Sequence, residues 1–291
     1  MIDLHTHSTY SDGTFTPQEL LREAARLGLS ALALTDHDTI DGVAEFMEWG
    51  KHYGVVTVPG VEISVDSKLP NNGHLHLLGL FIDPFSTHLQ ATLRYLLTQR
   101  NLRAEKLIHR LNELNIPVTV EELLAEAGEG AIGRPHVAKI LLRRGVVGSI
   151  QEAFDVYLAK GKPAYIDQEK LREEAALKLI RDAGGLSILA HPHLMNYDTF
   201  AGARDKILEL KKFGLDGFEA YYSGMPREYT EKLLALAGEE GFAVSGGSDF
   251  HGLNKDSVRM GSGKDNDVQV PDEVLAGLQE RRKARQQEKR F

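Results

Sequence analysis

The sequence predicts an α/β fold in which a parallel sheet covered by helices closes into a barrel and carries an all-helical insertion. Short β-rich runs alternate with amphipathic helical patterns along most of the chain, the mark of a helix-covered parallel sheet. The stretch from Thr87 to Tyr165 breaks that alternation and reads as helix with no β-rich run. His, Asp and Glu side chains gather where hydrophobic strands run out, the end at which such barrels build their sites.

Taken in order, the first strand is expected over Ile2–His7. A helix follows over Thr16–Leu27, with Thr16 as N-cap, Pro17 at its first position, Glu19 completing a capping box and Gly28 closing it. Strand Ala31–Thr35, helix Thr39–Tyr53 and strands Val55–Ile63 and His74–Phe81 come next. Beyond the insertion, helices Leu171–Ala183, Thr199–Phe213 and Arg227–Glu240 alternate with strands Ser187–Ala190, Gly217–Tyr221 and Ala243–Gly246. The barrel is therefore expected over residues 1–86 and 166–291, and the insertion, expected to cap the substrate, over 87–165. Leu93, Leu96, Leu97, Leu107, Leu111, Leu123, Leu124, Ile140 and Leu141 supply its apolar faces, and the chain returns near Gly161-Lys162-Pro163. The basic Glu280–Arg290 run reads as a solvated helix end.

Composition sets bounds on function. With 291 residues, 42% of them hydrophobic, the chain can bury one large barrel core. No apolar run reaches the roughly 18 residues of a membrane span, and Met1 leads straight into a strand, so a cytoplasmic protein without signal peptide or membrane partner is expected. The chain has no cysteine, which excludes disulfides, thiolate zinc sites and cysteine nucleophiles and leaves any metal to nitrogen and oxygen donors. A net charge of -8 argues against a broad basic nucleic-acid face. Ligand carboxylates contribute to that charge, and bound divalent ions would reverse it locally, so an anionic substrate can still dock.

His5 and His7 form an H-x-H pair, whose imidazoles share a face because strand side chains alternate with period two. Asp12 follows in the loop Ser11-Asp12-Gly13. His37, Glu62, His76, His191, Asp249 and His251 are each expected near the carboxyl end of a strand, where they can converge on one mouth. A single strand-end histidine is more often a packed core residue; one strand after another delivering a ligand type is a metal centre. Nine candidates exceed one ion, and about four to six donors per ion imply two or three divalent cations. Glu62 is the natural bridge, and mixed imidazole and carboxylate donors suit Mn, Fe or Zn, with Mn the first choice. His76 is preferred to its neighbour His74. His193, one residue past Pro192, reads as substrate-facing or as proton donor to the leaving group. Asp36 and Asp38 are expected to orient His37, and His52, His88 and His109 to lie on the surface.

At these residues the chain resembles the polymerase and histidinol phosphatase (PHP) superfamily of metal-dependent phosphoesterases. The resemblance rests on His5-Thr6-His7 with Ser11-Asp12-Gly13, Thr35-Asp36-His37-Asp38, Gly60-Val61-Glu62-Ile63-Ser64, His76-Leu77-Leu78-Gly79, Ala190-His191-Pro192 and Gly247-Ser248-Asp249-Phe250-His251. It implies a distorted (β/α)7 barrel and a trinuclear centre. One ion would take His5, His7, Glu62 and Asp249, a second Glu62, His76 and His191, and a third Asp12, His37 and His251. The insertion, through Gly133-Arg134-Pro135-His136-Val137-Ala138 and Gly161-Lys162-Pro163-Ala164-Tyr165, is similar to that of bacterial 3′,5′-nucleoside bisphosphate phosphatases and 5′→3′ exoribonucleases. That group often has a basic residue shortly after His-Pro, where this chain has His193-Leu194.

Arg134 offers a planar guanidinium fork and His136 an imidazole donor, with Pro135 starting a helix whose dipole favours an anion. The expected reaction is hydrolysis of a nucleotide phosphate ester, first of all the 3′-phosphate of a 3′,5′-nucleoside bisphosphate, by in-line attack of a metal-bridging hydroxide. The alternative is a 5′→3′ exonuclease on short 5′-phosphorylated RNA or oligonucleotides. Histidinol-phosphate hydrolysis and a non-catalytic PHP module rank below both, and no protein partner is implied.

Overall fold

The computed structural model describes residues 1–127, 133–167 and 169–288. Residues 128–132 of the expected insertion, and Lys289 and Arg290 of the basic run, lie outside the described residues. The chain divides into two compact units, Met1–Leu93 with Lys170–Phe291, and Arg94–Glu169.

The first unit is the barrel. Strands β1 (Ile2–Asp3), β2 (Ala31–Leu34), β3 (Val56–Asp66), β4 (Leu75–Leu80), β6 (Leu186–Leu189), β7 (Gly217–Tyr222) and β8 (Ala243–Gly247) lie side by side in that order, with β5 (Leu171–Arg172) paired to β3. The seam between β8 and β1 closes beyond the regular strands: the Leu4 amide donates to Gly246 O at 3.1 Å, Asp249 N to His5 O at 2.9 Å and His7 N to Phe250 O at 2.9 Å. Helices α1 (Pro17–Leu27), α2 (Val43–Tyr53), α7 (Glu173–Asp182), α8 (Phe200–Lys212), α9 (Arg227–Glu240) and α10 (Asp272–Glu288) alternate with the strands. The start of α1 has the expected cap. Thr16 Oγ1 accepts from Glu19 N at 3.2 Å, Glu19 Oε2 accepts from Thr16 N at 2.9 Å, and Gly28 closes the helix at φ 71.

The sheet is not wholly parallel, as the alternation had suggested. β4 runs antiparallel to both β3 and β6. The physical reason is the connection from Asp66 to Leu75, too short for the dozen or more residues that a parallel crossover needs. β1 is also shorter than the expected Ile2–His7: Leu4 bonds to Gly246 in β8, and His5 and His7 bond to Asp249 and Phe250 just beyond it. The small ribbon β9 (Val258–Arg259) with β10 (Gly263–Lys264) had no pattern to announce it.

The second unit is helical among the described residues. The greater part of α3 (Thr87–Glu113), with α4 (Val120–Ala127), α5 (Arg134–Arg143), α6 (Ile150–Ala153) and a π-turn at Phe154–Leu158, encloses its own core. Leu107, Leu111, Leu123, Val137, Ile140, Leu141 and Leu158 are buried there, whereas Leu124, expected on an apolar face, is 49% exposed. Among the described residues no helix is long and apolar enough to cross a membrane.

Candidate metal centre

All nine candidate ligands meet at one mouth of the barrel, but not all by the expected route. His5, His7, His37, His191, Asp249 and His251 follow the carboxyl ends of β1, β2, β6 and β8. Glu62 sits inside β3, and His76 stands near the start of β4, facing Ser64 in the register. Because β4 is antiparallel, its amino end lies where its neighbours end. Asp12 hangs in a turn closed by Gly13, where a Cβ would fall 2.3 Å from the His7 carbonyl oxygen, so only glycine fits.

Glu62 is the hub. Its Oε1 lies 2.9 Å from His76 Nδ1 and 3.0 Å from His191 Nε2. Its Oε2 is 3.0 Å from His37 Nδ1 and 3.3 Å from both His5 Nε2 and His7 Nε2, yet accepts no hydrogen bond. Imidazole nitrogens and carboxylate oxygens that converge on one point in this way are an arrangement for a cation that would displace any ring proton. Around one such point His5 Nε2 and His7 Nε2 stand 3.1 Å apart, and Asp249 Oδ1 lies 3.4 Å from the first and 3.2 Å from the second. His5, His7 and Asp249 thus form one group of donor atoms close enough together to share a cation. A second group gathers His7, Asp12, His37 and His251, with His251 Nε2 3.2 Å from Asp12 Oδ1. A third joins His37, Glu62 and His76. The residues present fit divalent cations.

Buried carboxylates hold the loops behind this cluster. Glu219 on β7 accepts from the His191 amide at 2.7 Å and lies 3.0 Å from His5 Nδ1. Asp3 accepts from Ser248 N, Ser248 Oγ and Gly261 N at 2.9, 2.5 and 2.8 Å. Asp36 takes Ser8 N at 2.7 Å and the hydroxyls of Ser8 and Ser11 at 2.6 and 2.5 Å, so it braces the first loop rather than His37. Asp38 accepts from the Ser64 amide at 2.9 Å. Asp38, His191 and Asp249 have φ of 54, 31 and 58, left-handed conformations that cost non-glycine residues of order 1–3 kcal/mol each.

The electrostatics match a site short of positive charge. Burial alone would raise the Glu62 carboxyl, but the imidazoles of His37, His5 and His76 hold it well below the usual range. Burial pulls His7 down, yet its contacts with Asp249 and Glu62 push it up to about 9. Burial takes His76 down to about 4 and His74 to about 3, both competent as neutral rings. The His74 ring lies tilted beside His76 and edge-on to His191, with centroids 5.1 and 5.4 Å away. His193 packs 5.2 Å from the Tyr222 ring with its Nδ1 buried and unpartnered, and burial followed by His191 lowers it to about 4. It is thus neutral at neutral pH, with one N–H to offer and no spare proton. His52, His88 and His109 are exposed.

In the helical unit, the Arg134 guanidinium carbon lies 5.7 Å from the ring centroids of both Phe154 and Tyr165, and Nη1 donates to Leu158 O at 3.3 Å. His136 is buried and its Nδ1 accepts from the Gly133 amide at 3.1 Å, so that ring atom caps its own helix. α5 begins at Arg134, one residue before Pro135.

Comparison with known proteins decides the family. A model of the PHP domain matches residues 3–244. The chain belongs to the PHP domain family. It is 35% identical over 249 residues to a 5′-3′ exoribonuclease of Haemophilus influenzae, covering 86% of this chain and 89% of that protein. It is 32% identical over 266 residues to a 3′,5′-nucleoside bisphosphate phosphatase of Chromobacterium violaceum, covering 91% and 92%. The solved structure of a metal-dependent phosphoesterase from Bifidobacterium adolescentis superposes with a TM-score of 0.81 at 29% identity, covering 96% of each chain. This PHP protein is a metal-dependent phosphoesterase, a hydrolase of phosphoric ester bonds.

Glu219, Tyr222 and Lys255 escaped the reading of the sequence. Glu219 had one signal, an acidic residue inside the otherwise uncharged Gly217–Tyr222 strand. Tyr222 and Lys255 had none.

Proposed function

We propose that this PHP protein removes the 3′-phosphate of nucleoside 3′,5′-bisphosphates. His5, His7, Glu62 and Asp249 would hold one divalent cation, Glu62, His76 and His191 a second, and Asp12, His37 and His251 a third, with Mn the first candidate. Bound cations supply Lewis acidity, which neutralises phosphoryl oxygens and lowers the pKa of a coordinated water. The protein's own part is orientation: Glu219 fixes His5 and the His191 backbone, while Asp3 and Asp36 hold the loops that carry the remaining donors. His193 offers the leaving oxygen a neutral N–H.

The observation that carries the choice of substrate is Arg134, a guanidinium held between two aromatic rings in the helical unit. A fork fixed in this way suits a phosphate dianion, and a relative 32% identical to this chain is a 3′,5′-nucleoside bisphosphate phosphatase. His136 belongs to the same proposal. The similarity to exoribonucleases favours a second reading, stepwise 5′→3′ removal of nucleotides from 5′-phosphorylated RNA. An assay with Mn on 3′-phosphoadenosine 5′-phosphate and on 5′-phosphorylated oligoribonucleotides separates the two. A kcat/KM higher for the bisphosphate supports the first, and a ladder of mononucleotides formed faster overturns it.

A further inference from the structure

Asp249 divides its two oxygens between different duties. Oδ1 faces the imidazoles, 3.2 Å from His7 Nε2 and 3.4 Å from both His5 Nε2 and His251 Nδ1. Oδ2 accepts from the Tyr222 hydroxyl and from the Lys255 ammonium, each at 2.6 Å. Lys255 ends a 3-10 turn, Gly252–Lys255, that is tied to the Asp12 loop: Leu253 N donates to Thr14 Oγ1 at 2.9 Å and Asn254 Nδ2 to Asp12 O at 2.7 Å. The turn and the loop therefore present Lys255 and Asp12 together.

An ammonium has three N–H donors. Among the described residues Asp249 is the protein acceptor for Lys255, and the side chain stays 41% exposed. Lys255 pairs in this way with one of the nine candidate ligands, Asp249. One carboxylate away from the converging donor atoms there is thus a held ammonium with donors to spare. A phosphoryl group entering this mouth presents several anionic oxygens and meets imidazoles, carboxylates and this fixed side-chain cation.

We propose that Lys255 is a substrate-binding residue of this centre, held by Asp249, which Tyr222 in turn anchors, so that its remaining donors take an oxygen of the phosphoryl group. The proposal rests on the metal centre described above. The rival role is a tether that serves Asp249 alone. Lys255→Met and Lys255→Arg, compared with the wild type in Mn, separate these roles through the inhibition constant of inorganic phosphate, KM, and Mn affinity by calorimetry. The expected result for Lys255→Met is a rise of about tenfold or more in KM and in the phosphate inhibition constant, the size of a lost charged hydrogen bond, with Mn affinity changed by less than about threefold. Lys255→Arg should recover most of the phosphate affinity. Unchanged phosphate inhibition in Lys255→Met overturns the proposal, as does a fall in Mn affinity equal to the loss of phosphate affinity with no recovery in Lys255→Arg. Failure of the metal centre itself looks different, because the wild type would then bind no Mn and hydrolyse no ester.

Discussion

The barrel mouth and the helical unit handle buried charge in opposite ways. In the mouth, Glu62 and Asp249 are packed among imidazoles, and carboxylates outnumber fixed cations. In the helical unit, guanidinium groups are packed among rings and carbonyls. Arg103 is 7% exposed with its Nε donating to Ile166 O at 2.7 Å, and burial followed by Arg134 brings it down to about 10. Arg134 lies between Phe154 and Tyr165. Unpaired buried charge is costly, and the two regions meet that cost differently. In the helical unit Tyr165 and Asp167 offset part of what burial takes from Arg134. In the mouth the imidazoles of His37, His5 and His76 do the same for Glu62.

If the mouth works through cations, its donors are indispensable in a way Arg134 is not. Asp249→Asn and His37→Ala should lower kcat by about a thousandfold or more, the several kcal/mol that metal-assisted hydrolysis supplies, and saturating Mn should not restore it. Near-normal rates in either variant would remove the metal assignment. Glu219→Gln probes the brace behind the ligands and should weaken Mn binding by roughly 10–100-fold, as lost outer partners of a ligating histidine do. Calorimetry reads this directly, and an unchanged affinity would reduce Glu219 to packing.

Charge gives a third test of the mouth. Without cations, burial opposes protonation of His5 and His7, but Glu219, Glu62 and Asp249 outweigh it, raising His5 well above its usual value and His7 to about 9. Each ring then holds a proton at neutral pH that an arriving cation must displace. Mn affinity should therefore rise with pH up to about 9, by roughly tenfold per unit for each proton released. Titrations in buffers of different ionisation enthalpy count those protons, and a count of zero would contradict the arrangement.

The mouth was largely legible in the sequence because strand periodicity converts spacing into direction. His5 and His7 two residues apart, or Asp249 and His251 likewise, say which side chains share a face. The direction of a strand has no such signature, so alternation alone does not distinguish an antiparallel β4, whose amino end rather than carboxyl end carries His76. Lys255 was invisible for a related reason: it reaches Asp249 only because Asp249 takes φ 58 and a 3-10 turn folds back over the Asp12 loop. His136 shows the limit in the helical unit. Its type and position suggested a phosphate ligand, whereas its Nδ1 is spent on the first turn of α5, a use set by a helix that starts one residue earlier than expected.

The smallest expected effect is also the one that would dissolve the contrast between the two regions. Arg134→Ala should leave kcat close to normal and raise KM by roughly tenfold for a 3′,5′-bisphosphate, with little change for a nucleoside monophosphate. Arg134 also holds the Leu158 carbonyl and stacks on two rings, so loss of packing alone could disturb the helical unit. Arg134→Lys addresses this. It keeps the charge but lacks the planar fork, so a phosphate contact predicts only partial recovery of KM. A packing role predicts instead that the melting temperature falls in both variants while bisphosphate and monophosphate are affected alike. Equal effects on the two substrates would mean that the helical unit has no anion of its own to bind, and that the mouth alone chooses what is cut.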